Sequence, residues 1–444
     1  MSEQKRHYFY QLFDRASAHI HGQQVLTGHL QAESSSFVRF NQGKIRQPGS
    51  VEQSQLTLEL IEGSRHSSCT IMLSGDPSTD DATIEAMLRN LQEQLPHLPA
   101  DPHHLYNTTP TSSEHIAPAI LTPAPEITEK VLEAAVGLDL VGILAHGTIF
   151  AGFANSLGQR NWFSKPSFNL DWSIYSHGDK AIKSGYSGAQ WETETFSQKV
   201  EQARSQLDLL GRPAKTIDPG AYRAYLTPAA VAEVLELLAW SSFSTKAIRT
   251  RQSPLLKLVE REVQLNSSVS LADNRRDGVG PLFGPSGFLK TEHIELIDAG
   301  RFEGSLTSPR SAREFDLTTD GVGGGEHPSA IDLAPGSLSE STILSELGRG
   351  VYISNLWYLN FSDRVSCRMT GMTRFATFWV EDGQLVAPMN VMRFDESFYR
   401  MFGENLIGLT RERHLILDAG TYEQRSTSSA YLPGALIEDF TFTL

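Results

Sequence analysis

Apolar side chains recur along the chain with two different periods. Residues 3–18 place Tyr8, Leu12 and Phe13 on overlapping faces of an opening helix. The pattern then shortens to period two. Ser36-Phe-Val-Arg-Phe40 runs into a turn at Asn41–Gly43, Leu56, Leu58 and Leu60 alternate with polar residues, and past the turn at Glu62-Gly63 so do Cys69, Ile71 and Leu73. Such alternation predicts antiparallel strands with one buried face. Helical spacing returns over Asp80–Leu95, where Ile84, Met87, Leu88, Leu91 and Leu95 share a face, with Ser78 or Thr79 as cap and Pro96 as stop. A similar series follows: a helix near Ile127–Ala135, short strands between Val141 and Tyr186 around a turn at Ala145-His146-Gly147, and another turn within Gly152–Gly158. A helix over Phe196–Leu210 closes this half, with Gly211 and Pro213 as its stop.

The polar, turn-rich Lys215–Gly220 reads as the main boundary. Beyond it the pattern predicts a strand at Ala221–Leu226 and then a helix with Thr227 as N-cap, Pro228 at its first position, and Val231, Val234, Leu235 and Leu238 on one face. Strands are expected at Gly287–Leu289, His293–Asp298 before an Ala299-Gly300 turn, Phe302–Leu306, Gly350–Ser354, Thr377–Val380, Leu385–Pro388 and Ala435–Leu444. Gly321–Gly325 reads as a loop and Ser339–Leu347 as a helix. Helices and strands cluster rather than alternate, so the expected class is α+β, with an N-terminal lobe over residues 1–217 and a mostly-β lobe over 218–444. The Pro-rich segment 96–125 is a possible sub-boundary. Its seven prolines make it an extended connector, so its four histidines (His97, His103, His104, His115) read as solvated rather than metal-binding.

Composition narrows the function classes. A chain of 444 residues carrying 40% hydrophobic side chains forms its own core without disulfides. Its two cysteines, Cys69 and Cys367, are far apart, which argues against both a disulfide framework and a Cys-rich zinc site and suggests a reducing compartment. Cys69 sits on an inner strand face and reads as a small core residue. The net charge of −14 opposes a phosphate backbone, and the one basic cluster (Lys246, Arg249, Arg251, Lys257) has no interleaved aromatics. No nucleic-acid partner is expected. Val131–Ala154 is the most apolar stretch, yet it holds Glu133, Asp139 and His146, whereas a spanning helix needs about 20 apolar residues. The start of the chain lacks a signal-peptide h-region, so the expectation is a cytoplasmic protein with no membrane partner.

Generic motifs fail. Gly321–Gly325 lacks the Lys-Ser/Thr of a phosphate loop, Gly348-Arg-Gly350 precedes a strand instead of following one, and Gly284-Pro-Ser-Gly287 misses a nucleophile elbow by its spacing. The pairs His19/His21 and His103/His104 lack a placed third ligand. Glu326-His327 could supply an acid/base pair from a flexible loop.

The order of several segments resembles the TldD/TldE (PmbA, modulator of gyrase) metallopeptidase family. The matching pieces are Phe37–Ile45, Phe153–Gly158, the helix segment Leu235–Ser244, Glu346-Leu-Gly-Arg-Gly-Val-Tyr-Ile-Ser354, Thr370-Gly371 with Arg374, Phe378–Gly383, Pro388-Met-Asn390 and Phe398–Phe402. In that family the catalytic member carries HExxxH on the helix opening the second lobe, and a late Cys completes its zinc site. Zinc held there keeps one position open for water, which the Glu activates. On the resemblance the His positions fall on Leu237 and Ser242 and the Glu position on Leu238. No Cys follows Cys367, and no His lies between His177 and His293. Glu233 and Glu236 remain on the helix. The resemblance thus implies a non-catalytic, TldE/PmbA-like subunit without catalytic or metal residues of its own, paired with a zinc-bearing TldD-like subunit as a heterodimer acting on unfolded peptides. Glu326, His327, Thr370, Arg374 and Asn390 are the candidate peptide-cavity residues. The family's T-G-D-x-S-x-G-A-x-G segment is recast as Thr370–Thr377, without its Asp and later Gly. Two rival readings are a homodimeric peptide-binding scaffold and a divergent metallopeptidase built on Glu326, His327 and distant histidines.

Overall fold

The computed structural model describes residues 2–118, 120–176 and 180–443. His177 and Leu444, which enter the sequence reading above, lie outside them.

The N-terminal lobe is a seven-stranded sheet. Its strands are β1 (Val25–Asn41), β2 (Lys44–Glu62), β3 (Arg65–Met72), β4 (Ser113–Ile116), β5 (Asp139–Asn155), β6 (Arg160–Tyr175) and β7 (Ala181–Gly188). They run in the order β3-β2-β1-β5-β6-β4, with β7 also on β6. Among the described residues four α-helices accompany it: α1 (Ser2–Ser17), α2 (Pro77–Gln94), α3 (Ala124–Ala134) and α4 (Thr193–Leu210). Helix α1 buries Phe9, Leu12, Phe13 and Ala16, and with α2 it covers the alternating Leu56, Leu58 and Leu60 of β2. The cap of α2 is Asp76, not Ser78 or Thr79. Its carboxylate accepts the Thr79 N–H at 2.9 Å, and Pro77 at the first position starts the helix there.

Strand β5 corrects the expected turn at Ala145–Gly147. The strand runs straight through, paired with β1 on one side and β6 on the other. Gly147 is needed for the close approach of β1: at φ +148°, a Cβ would lie 2.1 Å from the Ser34 carbonyl oxygen.

Eleven strands build the C-terminal lobe: β8 (Gly220–Leu226), β9 (Leu271–Asn274), β10 (His293–Asp298), β11 (Arg301–Phe302), β12 (Ala330–Leu333), β13 (Gly350–Asp363), β14 (Arg368–Glu381), β15 (Gln384–Pro388), β16 (Arg393–Ser397), β17 (Leu406–Leu417) and β18 (Ser429–Phe442). Of residues 287–289 only Leu289 pairs, in an isolated bridge with Phe283, and the strand expected at Phe302–Leu306 is the two-residue β11. Pairings β8–β13, β13–β14, β14–β16, β16–β18 and β18–β8 close a ring. Helix α5 (Pro228–Ala239) directly follows β8 and packs on β13, the parallel neighbour of β8, and on β18, and it is capped by Thr227 as expected. Nine of its twelve residues are buried, so it is a core helix. The short helices α6 (Thr245–Arg249), α7 (Leu256–Val259), α8 (Pro309–Phe315), α9 (Ile343–Leu347) and α10 (Phe398–Met401) complete the lobe.

One apolar cluster bridges the lobes. Phe168, Trp172 and Phe196 from the first pack with Tyr225, Tyr352, Phe378 and Leu436 from the second. Each such large side chain contributes about 1.5–3 kcal/mol on burial. Arg425 reinforces the contact, donating to the Ser167 hydroxyl at 2.7 Å and to the carbonyls of Ser167 and Gly147 at 3.0 and 3.2 Å.

Candidate functional site

Beside this shared cluster lies a cavity of about 450 Å³ between the lobes. The N-terminal lobe lines it with Asn169 and Asp171 from β6, residues 182–187 from β7, and Lys199, Gln202, Ala203 and Gln206 from α4. The other lobe supplies Tyr352, Ser354 and Asn355 from β13, the end of β17 from His414, and one face of α5. Helical spacing decides which face that is. Ala229, Ala232, Glu233 and Glu236 turn toward the cavity, while Val231, Val234, Leu235 and Leu238 turn into the core, as the periodicity predicts.

The wall is acidic: among the described residues, Asp171, Glu233, Glu236, Glu340 and Asp418 face only Lys183 and Lys199 as fixed cations. Burial, then the charges of Glu233 and Asp418, push the Glu236 carboxyl up to about 7 against the pull of Lys183. Burial also raises Glu233 and Asp171, the latter opposed by Lys183 at 3.5 Å. Lys199 is lowered by burial, with Glu340 opposing. The His414 ring reaches Glu340 at 2.9 Å. A crevice with this charge favours cationic groups and disfavours anionic ones.

Leu237, Leu238 and Ser242 lie outside this wall. All three are buried, the two leucines within the C-terminal core. Ser242 comes after the end of α5, its N–H held by the Leu238 carbonyl at 3.2 Å. Glu326 is a buried carboxylate that accepts from Ser244 Oγ at 2.5 Å, from the Lys246 N–H at 2.9 Å, and from the N–H and hydroxyl of Ser308, both at 2.9 Å. It thereby joins the starts of α6 and α8. The neighbouring His327 ring lies 3.2 Å from the Ala239 carbonyl oxygen at the end of α5.

The other candidates are scattered. Thr370 donates to the Phe394 carbonyl oxygen at 2.9 Å, Arg374 stacks over Trp357 at 4.6 Å, and the exposed Asn390 donates to Thr216 at 2.6 Å. None of Glu326, His327, Thr370, Arg374 and Asn390 lines the cavity. The periodicity of α5 was the available signal for Glu233 and Glu236, but which solvent-side residues would meet the other lobe is set by tertiary packing.

These donors do not fit the family's zinc. Two imidazoles and a thiolate are required, whereas His414 is the single imidazole on the described wall. Cys367 is fully buried within the C-terminal core, its thiol raised by burial, and Cys69 belongs to the β2–β3 hairpin. Among the described residues, no three potential ligands converge at the cavity.

Fold and site together define a two-lobed α+β protein with a closed strand ring, a buried helix packed on that ring and an acid-walled cavity between the lobes. Residues 219–444 match the family described as the PmbA/TldA metallopeptidase C-terminal domain, and the chain belongs to this PmbA/TldD family. Compared by sequence with curated proteins, it matches none. Among solved structures it is similar to TldE from Thermococcus kodakarensis, at 14% identity and a TM-score of 0.80, covering 98% of this chain and 100% of that one. A putative modulator of DNA gyrase from Thermotoga maritima gives 14% identity and a TM-score of 0.74 over 98% and 99% of the two chains. A second, from Bacteroides thetaiotaomicron, gives 14% and 0.72 over 100% and 99%. At such identities the likeness concerns the fold.

Proposed function

We propose that this chain is a non-catalytic, TldE-like cytoplasmic subunit of a TldD-type zinc peptidase complex. Its partner supplies the zinc and the HExxxH helix, while this chain contributes a wall of the chamber that receives unfolded peptide. The observation carrying this reading is the cavity face of α5, where Ala232, Glu233 and Glu236 stand and no imidazole does. Carboxylates alone suit magnesium or calcium better than a peptidase zinc, which takes nitrogen and sulfur ligands. Asn355, Ser354 and the polar side chains of Ser184 and Ser187 on β7 offer hydrogen-bonding groups for a peptide backbone beside the apolar Ile182 and Leu344.

Co-expression with an HExxxH-bearing relative from the same organism tests the assembly. The expected result is a stable complex of one copy of each chain, resolved by sedimentation velocity. A stable self-dimer that ignores the relative overturns it and favours the homodimeric scaffold.

A further inference from the structure

A second constellation lies well away from the cavity. The β2–β3 hairpin presents Glu59 and His66, and the Pro-rich connector, far from being a free tether, folds back to place His104 beside them. His66 Nδ1 lies 2.8 Å and His104 Nε2 3.1 Å from the same oxygen, Glu59 Oε1. All three donor atoms fall within 4.8 Å of one another. The arrangement is partly sheltered: the His104 side chain is 13% exposed, Glu59 20% and His66 32%.

The far side of His66 carries a second carboxylate. Its Nε2 faces Asp101 Oδ2 at 3.4 Å, and that carboxylate is itself pinned by Arg310 Nη1 at 2.6 Å and by the His103 N–H at 3.0 Å. With the ring proton on Nε2, the Nδ1 lone pair confronts a carboxylate oxygen. Two electron-rich atoms at 2.8 Å repel unless a proton or a metal cation lies between them. His104 Nε2 faces the same oxygen, so one dication answers both contacts. A carboxylate on the outer nitrogen of a ligating histidine is a recurrent partner in metal sites, where it sets the tautomer and raises ligand basicity.

We propose that Glu59, His66 and His104 form a binding site for a zinc-type divalent transition metal, with Asp101 as the positioning carboxylate. Two imidazoles and one carboxylate match the ligand preference of zinc and leave a fourth position for a water. Tetrahedral ligands at about 2.0–2.1 Å from the metal stand ~3.3 Å apart, close to the two separations already present. The imidazoles are now stacked, with centroids 3.8 Å apart and planes 14° from parallel. Metal binding therefore turns at least one ring about its Cβ–Cγ bond, so that both lone pairs meet at one point. Such a metal fastens the connector to the hairpin and, through Asp101 and Arg310, to helix α8 of the second lobe.

The test uses the full chain without an affinity tag and zinc alone as probe, titrated against a chromophoric chelator. The expected result is one zinc ion per chain, with affinity falling at least tenfold in His66→Ala and in His104→Ala, and about tenfold in Asp101→Asn. A His19→Ala control keeps full affinity. The thermal midpoint rises with zinc in the unaltered protein and stays flat in His104→Ala. Should an alanine variant not fold, Glu59→Gln carries the same expectation of weakened binding. Absence of stoichiometric zinc, or unchanged affinity in folded variants of the three ligands, overturns the proposal.

Discussion

Replacing Glu326 with Ala separates a structural carboxylate from a catalytic one. The side chain is 1% exposed and accepts four hydrogen bonds from Ser244, Lys246 and Ser308. Bonds to a charged acceptor are worth about 1.5–3 kcal/mol each, but those sharing one residue do not add in full. Removal also strands the Lys246 and Ser308 N–H groups near the starts of α6 and α8. We expect a loss of about 4 kcal/mol, read as a fall in the urea midpoint at unchanged slope. Glu326→Gln should lose about half as much, because its amide turns N–H groups toward at least one donor pair. The pH dependence has a defined sign. Burial raises this carboxyl, but hydrogen bonds from Ser244, Lys246 and Ser308 outweigh it and hold it below its ordinary value. Its contribution is thus complete above the usual glutamate range and disappears as pH falls through the lower folded value. A folded Glu326→Ala protein that loses less than about 1 kcal/mol refutes the reasoning.

Other consequences follow from packing and charge. Gly147→Ala should cost about 3 kcal/mol or more, since its Cβ would meet the Ser34 carbonyl at 2.1 Å, whereas Gly158→Ala, strained at φ +100° but facing open space, should cost about 1; urea melts of both variants check this. Thr227→Ala removes the α5 cap and the 2.6 Å bond to the Ser354 carbonyl, with an expected loss of 1–2 kcal/mol in the same assay. Glu236 has a raised folded pKa, so it costs stability as pH rises from the ordinary glutamate range toward about 7. Allowing for solvent screening in the open cavity, Glu236→Gln should gain about 1 kcal/mol at pH 8 and nothing at pH 4. Equal gains at both pH values would contradict the charge argument.

Local signals in the sequence went far for elements with a strong period. Helices α1, α2, α4 and α5 and the alternating strands β2 and β3 carry their burial pattern openly, and Thr227-Pro228 marks the start of α5. Gly147 reads locally as a turn, because the approach of β1 that demands it comes from more than 100 residues away. The short helices α6, α8 and α10 have too few residues for a period to show. Glu233 and Glu236 are legible as the polar side of a helix, yet Asp171, on β6, and Asp418, just past the end of β17, come from distant parts of the chain. His66 and His104 are 38 residues apart, and only the fold-back of the Pro-rich connector unites them. Glu326 lay beside a glycine run that suggests a mobile loop, while four donors from elsewhere in the chain fix it.

The central claim is that this chain lines a peptide chamber without supplying the hydrolytic centre. Its most direct test is hydrolysis of an unstructured peptide in the presence of zinc, by this chain alone and mixed in equal amounts with its HExxxH-bearing relative. The account predicts no turnover alone, activity in the mixture, and loss of that activity when the relative's HExxxH glutamate is changed to Gln. Zinc-dependent turnover by this chain alone, abolished by Glu233→Gln or Glu236→Gln, would contradict it.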